Sequence, residues 1–359
     1  MNCAQFEWPD DRDYFREFFG RAEAARVPLA GSLELTRRCN LRCLHCYLGP
    51  QDAVAGDGRS EMTTEQVLAI LEQVIAAGCL GLLITGGEPL LRRDFAEIYR
   101  RAKLAGLDVT VFSNGTVVTD GVVKLFQDLP PRVVEVSLYG ATAETYERIS
   151  GVRGSYRRCL DGIGRLLDGG VRLSLKTMLM TLNSHELEAM EALAGSYGAK
   201  FRFDPVLNAC LDGAREPLGL RLDAGEVVRL EFGSPERRKG WDDFHARNPD
   251  VAPSDLLLQC GAAKTQFHVD AFGNLQACLM LPDESYSLLS GAFADGWARM
   301  AHLRETRVGN GNRCAACQQR PYCGYCPGLL ALENGDAETP SDYLCALGRE
   351  RLRAITTLS

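Results

Sequence analysis

The chain has no dense Lys/Arg block, no long unbroken apolar run, and no basic-then-apolar order in Met1-Asn2-Cys3-Ala4-Gln5 or the acidic Asp10-Asp11 beyond it. The first absence, with a formal charge of -7, argues against nucleic acid or an anionic membrane as partner and leaves small molecules and peptides. The second argues against a membrane span, because the longest mostly apolar stretch, Val74 to Thr85, is too short and is broken by Gly78 and Gly81. The third removes the pattern of a secretory signal, so the expected location is cytoplasmic.

Cysteine, by contrast, is abundant. Fourteen thiols in 359 residues read as metal ligands, since a disulfide framework belongs to small secreted domains. With 46% apolar residues the chain can bury a large core, as two domains or as one with an appendage.

Three thiols lie in the run Arg38-Cys39-Asn40-Leu41-Arg42-Cys43-Leu44-His45-Cys46-Tyr47. Three thiolates on one loop can hold three corners of an iron-sulfur cube and leave the fourth iron open to substrate. A zinc knuckle with His45 as fourth ligand is the other reading of the same residues.

From Leu33 to about Pro205, short apolar runs alternate with helix-period segments, the pattern of a parallel sheet with crossover helices. Strands are predicted near Leu33 to Leu35, Leu82 to Thr85, Asp108 to Ser113, Val133 to Leu138, Arg172 to Met178 and Phe201 to Asp204. Thr63 with Gln66 reads as a capping box, Gly78 as a left-handed helix end, and Asn183 with Glu186 as a second box. Six such units with right-handed crossovers make an α/β fold, a partial (β/α)6 barrel, with functional groups where its strands end. The cysteine loop follows the first strand, Gly86-Gly87-Glu88-Pro89 the second and Ser113-Asn114-Gly115-Thr116 the third, while Ser137 nears the end of the fourth. Adjacent glycines there let main chain approach a ligand closely.

Seven more cysteines follow: Cys260, Cys278, the pair Cys314-Ala315-Ala316-Cys317, the pair Cys323-Gly324-Tyr325-Cys326, and Cys345. Alone, the paired C-x-x-C motifs suit two zinc ribbons. The remaining thiols are Cys3, Cys79, Cys159 and Cys210; Cys79 and Cys159 read as packing residues, and Cys210 follows the sixth strand on the functional rim.

The cysteine loop, the Gly-Gly-Glu-Pro turn and the C-terminal set together resemble the radical S-adenosylmethionine (SAM) enzymes with a C-terminal SPASM extension, from about Leu33 to Arg349. That resemblance implies a SAM-binding 4Fe-4S cluster on Cys39, Cys43 and Cys46, whose free iron chelates the methionyl end of SAM. It implies cofactor contacts from Gly86, Gly87 and Glu88, from Ser113, Asn114 and Ser137, from His45 near adenine, and from Arg148 or Arg153 at the carboxylate. It implies two auxiliary iron-sulfur clusters, the nearer on Cys260, Cys278 and Cys326, the farther on Cys314, Cys317, Cys323 and Cys345. Seven ligands cannot fill eight iron positions, so the nearer cluster is expected to have an open or non-cysteine-ligated iron, or to be smaller.

The chain departs from the family at three places. Tyr139 stands where many relatives have Asp, the last cysteine pair has two intervening residues where relatives often have three, and Leu279 stands where sulfatase maturases have an Asp base. The domain reading is an N-terminal helical extension over 1–30, the barrel over 31–211, a bridging segment over 212–255 and an iron-sulfur domain over 256–359. In the extension, Tyr14, Phe15, Phe18 and Phe19 are expected to form a helix packed on the barrel. In the bridge, Trp241, His245 and the Arg237-Arg238-Lys239 run read as a solvated face, with the lining of a peptide groove as the other reading.

The resemblance further implies oxidative modification, including cross-linking, of a ribosomally made peptide. A flavodoxin or ferredoxin would donate electrons, and a separate protein would recognise the peptide. Dehydrogenation or decarboxylation of a small molecule, a sugar or a tetrapyrrole, is the alternative within enzymes. A non-catalytic electron carrier or zinc scaffold is the alternative of another class. Asp212, Tyr139 and Asp204 are candidate bases without grounds for choosing among them.

Overall fold

The computed structural model of the protein describes residues 11–51, 58–248 and 252–357. Cys3 and the opening Met1 to Asp10 lie outside the described residues.

Six parallel strands carry the barrel: β1 (Ala30–Glu34), β2 (Gly81–Thr85), β3 (Asp108–Ser113), β4 (Val133–Ser137), β5 (Leu173–Met178) and β6 (Lys200–Asp204). Each falls within a few residues of its predicted place. Period-two alternation decides their orientation. Leu82, Ile84, Val109, Val111, Val134, Val136, Leu173 and Leu175 are buried in the core against the crossover helices. The alternate positions, among them Ser32, Leu83, Phe112, Ser137, Lys176 and Arg202, line a cavity inside the barrel.

The helix Thr64–Ala76 begins with the predicted capping box: Thr63 Oγ1 accepts from Gln66 N, and Gln66 Oε1 accepts from Thr63 N. Gly78 just beyond it takes φ +96°, the left-handed region that spares a side chain. The second expected box does not form. Asn183 turns its amide back to Tyr139 O, Thr177 Oγ1 and Met178 O, and Glu186 accepts from Thr142, Thr145 and the Ala141 N–H. Those groups are buried donors and acceptors of the β4 and β5 ends, and satisfying them outweighs a helix cap.

The sheet does not stop at β6 or at residue 255. β7 (Gln266–Val269) pairs parallel with β1, and β8 (Asn274–Gln276) and β9 (Ser285–Ser287) follow antiparallel, giving the order β6-β5-β4-β3-β2-β1-β7-β8-β9. The C-terminal cysteine region is therefore continuous with the barrel through one sheet. In the bridge, helices Ala224–Glu231 and Pro235–Arg247 appear as short elements, with Arg237 paired to Glu191, Arg238 to Asp242 and Lys239 to Asp243.

The N-terminal helix Asp11–Ala24 forms, but its aromatic residues do not pack on the barrel. Tyr14, Phe15 and Phe19 are about half exposed and stack on one another and on Phe18, while Ala22 near the helix end is buried. Cys79 and Cys159 are buried as expected. Among the described residues no helix is long and apolar enough to cross a membrane.

Candidate active site

A cavity of about 680 Å³ opens where the six strands end. Its lining includes the cysteine loop with Gly86, Gly87, Ser113, Asn114 and Ser137, and also Lys176, Arg202, Asp204, Leu279 and Cys210, whose thiol donates to Cys46 O at 3.4 Å. A second hollow, about 390 Å³ between Phe126 and Arg172, is lined by no cysteine.

The loop is held by hydrogen bonds along its length. Cys39 N donates to Gln51 Oε1 at 2.7 Å, Arg42 N to Ser150 O at 2.8 Å and Leu44 N to Ile149 O at 3.0 Å. Asn40 is fixed from β3, donating to Thr116 Oγ1 and accepting from Asn114 Nδ2. Behind the loop, the glycine pair serves the backbone before any ligand. A Cβ on Gly86, which has φ +139°, would lie 2.2 Å from Thr36 O, and one on Gly87 would lie 2.4 Å from Arg38 O. Instead Gly87 N donates to Thr36 O at 2.7 Å and Glu88 N to Arg38 O at 3.0 Å, which clamps the stem of the cysteine loop.

Glu88 differs from its expected role. Its carboxylate is fully buried and is not part of the cavity wall; it accepts from Leu90 N, Ser113 Oγ and Asn114 N at 3.1, 3.0 and 2.6 Å. It positions two cavity residues, and burial pushes its carboxyl up to about 7. Arg148 is likewise corrected. Its side chain is exposed and away from the cavity wall, as is that of Arg153, because the helix Ala143–Ser150 turns its buried face, Tyr146 and Ile149, inward.

His45 does face the cavity, edge-on to Tyr139 at 4.9 Å between ring centroids. Its Nδ1 is buried without a hydrogen-bond partner, and burial lowers its pKa to about 4, so the ring is neutral at pH 7. A neutral, flat ring can stack on an uncharged heterocycle.

The structure gathers the described ligand-type cysteines into three groups whose thiols influence one another. Burial, and then Cys46 and Cys39, push Cys43 up; Cys46 rises to about 11. Cys278 rises to about 11 through burial, with Cys326 and Cys260 adding, and Cys323 to about 12 through burial, with Cys314, Cys317 and Cys345 adding. Among the described residues no three Cys, His, Asp or Glu side chains close around a single metal ion. The groups hold three, three and four thiols, the soft donors that zinc and iron-sulfur clusters both take. A Cβ on Gly328, two residues past Cys326, would lie 2.5 Å from Met280 O, so the Cys326 turn lies against the Cys278 turn. Arg320 ties the Cys314 loop by donating to Cys314 O, Ala315 O, Ser254 O and Ala252 O.

Sequence reasoning missed Lys176, Arg202 and Glu135 of the barrel interior. Polar residues alternating with apolar ones read as a solvent face, and only the curl of the sheet turns that face toward the cavity.

Residues 33–194 match the Radical SAM superfamily. The AdoMet-dependent heme synthase of Methanosarcina barkeri is 34% identical over 166 residues, 46% of this chain and 47% of that protein. The mycofactocin maturase MftC of Mycobacterium tuberculosis is 28% identical over 345 residues, 90% of this chain and 86% of that protein. Among solved structures, Streptococcus suis SuiB bound to precursor peptide SuiA superposes with a TM-score of 0.70 at 16% identity, covering 96% of this chain and 83% of that one, and so shares the fold. Residues 33–194, which hold the cysteine loop and the six parallel strands except for β6 and part of β1, are thus the part of the chain that is similar to the Radical SAM superfamily.

Proposed function

We propose that the chain binds a 4Fe-4S cluster on Cys39, Cys43 and Cys46 and SAM beside it, and that it oxidatively modifies, including by cross-linking, a ribosomally made peptide. The observation that carries this reading is one cavity that joins the cysteine loop, Gly86-Gly87 and the strand-end polar residues to Leu279, next to Cys278. When bound, the cluster supplies the electron that splits SAM into methionine and the 5′-deoxyadenosyl radical that takes a hydrogen atom from substrate.

The chain's own residues bind and orient. Main chain at Gly86 and Gly87 receives the methionyl ammonium, Ser113, Asn114 and Ser137 receive ribose or carboxylate, and neutral His45 stacks on adenine. Glu88 acts through Ser113 and Asn114. Cys260, Cys278 and Cys326 hold the nearer auxiliary cluster with one position open or otherwise ligated, and Cys314, Cys317, Cys323 and Cys345 hold the farther one. Clusters held there would supply redox chemistry able to accept an electron left on the substrate. Leu279 puts an apolar side chain where a base would otherwise stand, which speaks against sulfatase maturation. A flavodoxin or ferredoxin would supply electrons in the cytoplasm, and a separate protein could deliver the peptide.

The maturase relative matched over most of the chain supports a peptide substrate. The heme synthase relative, more identical over a shorter span, favours a tetrapyrrole as the second reading. Anaerobically reconstituted protein with a strong reductant and SAM should yield 5′-deoxyadenosine, and Cys39→Ala, Cys43→Ala or Cys46→Ala should abolish it. A peptide encoded beside the gene should become lighter by about two mass units per event, as loss of two hydrogens requires. Zinc without acid-labile sulfide, or no 5′-deoxyadenosine, would refute the enzyme reading; conversion of a tetrapyrrole and of no peptide would establish the second.

A further inference from the structure

The cavity wall formed by β4, β5 and β6 carries a charge arrangement that the handling of SAM leaves unused. Ser137, Lys176 and Arg202 stand in one row across β4, β5 and β6, and all three line the cavity. Behind them, one oxygen of Glu135 serves two cations: Arg202 at 2.6 Å and Lys176 at 3.5 Å. The shorter contact leaves Lys176 with the weaker share. Its Nζ stands over the face of Phe112, 2.7 Å from the ring centroid, and its side chain is 17% exposed.

Two carboxylates line the cavity itself, Asp204, which accepts from Val206 N at 2.9 Å and lies on the exposed edge strand, and Glu216; among the described residues neither forms an ion pair with Lys176 or Arg202. Lys176 and Arg202 thus share one carboxylate, that of Glu135, as their ion-pair partner, and Lys176 holds the more distant contact. An ammonium placed on an aromatic face, with one distant anion, gains more from a second anion than a solvated lysine would. Burial, with Arg202 adding to it, lowers Lys176 to about 7 despite Glu135, so Lys176 holds its charge here at a cost.

We propose that Lys176, backed by Arg202, anchors a carboxylate of the substrate and so turns the reacting part of that substrate toward the cysteine loop. The inference rests on the proposed reading of the cavity as the SAM and substrate site, and it adds the chemical class of the group recognised. An acidic side chain or a chain-terminal carboxylate of a peptide satisfies it equally.

The test uses reconstituted, SAM-loaded holoenzyme and two small probes, N-acetyl-glutamate N-methylamide and its glutamine counterpart, followed by calorimetric titration. The glutamate probe should bind at least tenfold more tightly than the glutamine probe. Lys176→Met should erase that preference, and Lys176→Arg should keep most of it. Lys176→Gln, nearer in polarity, stands in if the Met variant does not fold. Equal binding of the two probes to the unmodified enzyme, or a preference that survives both neutral variants, overturns the anchor. SAM affinity separates a substrate carboxylate from that of SAM itself: a change within twofold in the neutral variant supports a substrate anchor, and a tenfold loss assigns Lys176 to the methionyl carboxylate and overturns the proposal. Failure of the unmodified enzyme to form 5′-deoxyadenosine would instead sink the reading beneath it.

Discussion

Glu88 Oε2 accepts a 2.6 Å hydrogen bond from the backbone N–H of Asn114, so a carboxylate after the second strand sets the main chain after the third. The same side chain holds Ser113 Oγ and caps the turn at Leu90 N. Replacing it strands three buried donors at once.

Glu88→Ala should therefore lower stability by about 3 kcal/mol, the scale of several orphaned buried groups. It should also weaken SAM binding at least tenfold by freeing Ser113 and Asn114. Urea denaturation and equilibrium dialysis of SAM measure the two effects. Unchanged SAM affinity in a destabilised variant would show that these residues do not touch the cofactor.

Gly87→Ala should act on metal loading. Its Cβ would fall 2.4 Å from Arg38 O and 2.6 Å from Arg37 O, both backbone atoms that cannot swing aside. The expected result is loss of about one cluster's worth of iron and sulfide per chain, with 5′-deoxyadenosine formation reduced at least a hundredfold, about 3 kcal/mol. Full iron content would mean that the stem of the loop tolerates the shift.

Much of the frame is legible in the sequence because its causes are local. The Thr63-Gln66 capping box needs only a four-residue spacing, and β3 at Asp108–Ser113 needs only its own alternation. The direction of a side chain after a turn is not local. Glu88 and Arg148 occupy suggestive positions, yet one points into a buried hydrogen-bond network and the other into solvent. Lys176 and Glu135 are hidden for a further reason: the polar phase of a strand is read as outer surface until the sheet curls and makes it the interior. Asn183 matches a cap signature but lies beside unsatisfied carbonyls from another strand, and sequence spacing does not show those.

Glu34 should give the protein a pH-dependent stability. Its carboxylate is fully buried, both oxygens lack a hydrogen-bond partner among the described residues, and the Arg37 Nε is 3.5 Å away. Burial first, with Asp270 adding and Arg37 opposing, raises its pKa from 4.5 to about 7. Between those values the folded chain keeps a proton that the unfolded chain has released, so stability is present below about 4.5 and falls as pH rises through 7. The loss is at most about 3 kcal/mol. Urea midpoints at pH 5 and pH 8 should show this decline, and Glu34→Gln should lessen it. An identical pH dependence in both proteins would rule Glu34 out as its source.

Arg351 joins the last helix, Asp342–Thr356, to the bridge and to the cysteine region in one side chain. It donates to both oxygens of Glu231 at 2.8 and 2.6 Å and to Tyr322 O at 2.8 Å, with both charged side chains under a tenth exposed. Cys345 lies on that helix, and Tyr322 precedes Cys323, so the hydrogen bond to Tyr322 O ties together two thiol-bearing segments of the farther group. Arg351→Met leaves Glu231 buried and unpaired and should cost about 3–5 kcal/mol. Removing both charges, with Glu231→Leu beside Arg351→Met, should recover most of that, because the penalty lies in the stranded anion. The link to Tyr322 is still lost in the double variant. Its iron content should therefore stay below that of the parent, while formation of 5′-deoxyadenosine, which depends on Cys39, Cys43 and Cys46, persists. Recovery of stability together with full iron would place the role of Arg351 in folding alone; recovery of stability without iron would make it a positioning residue for the farther group.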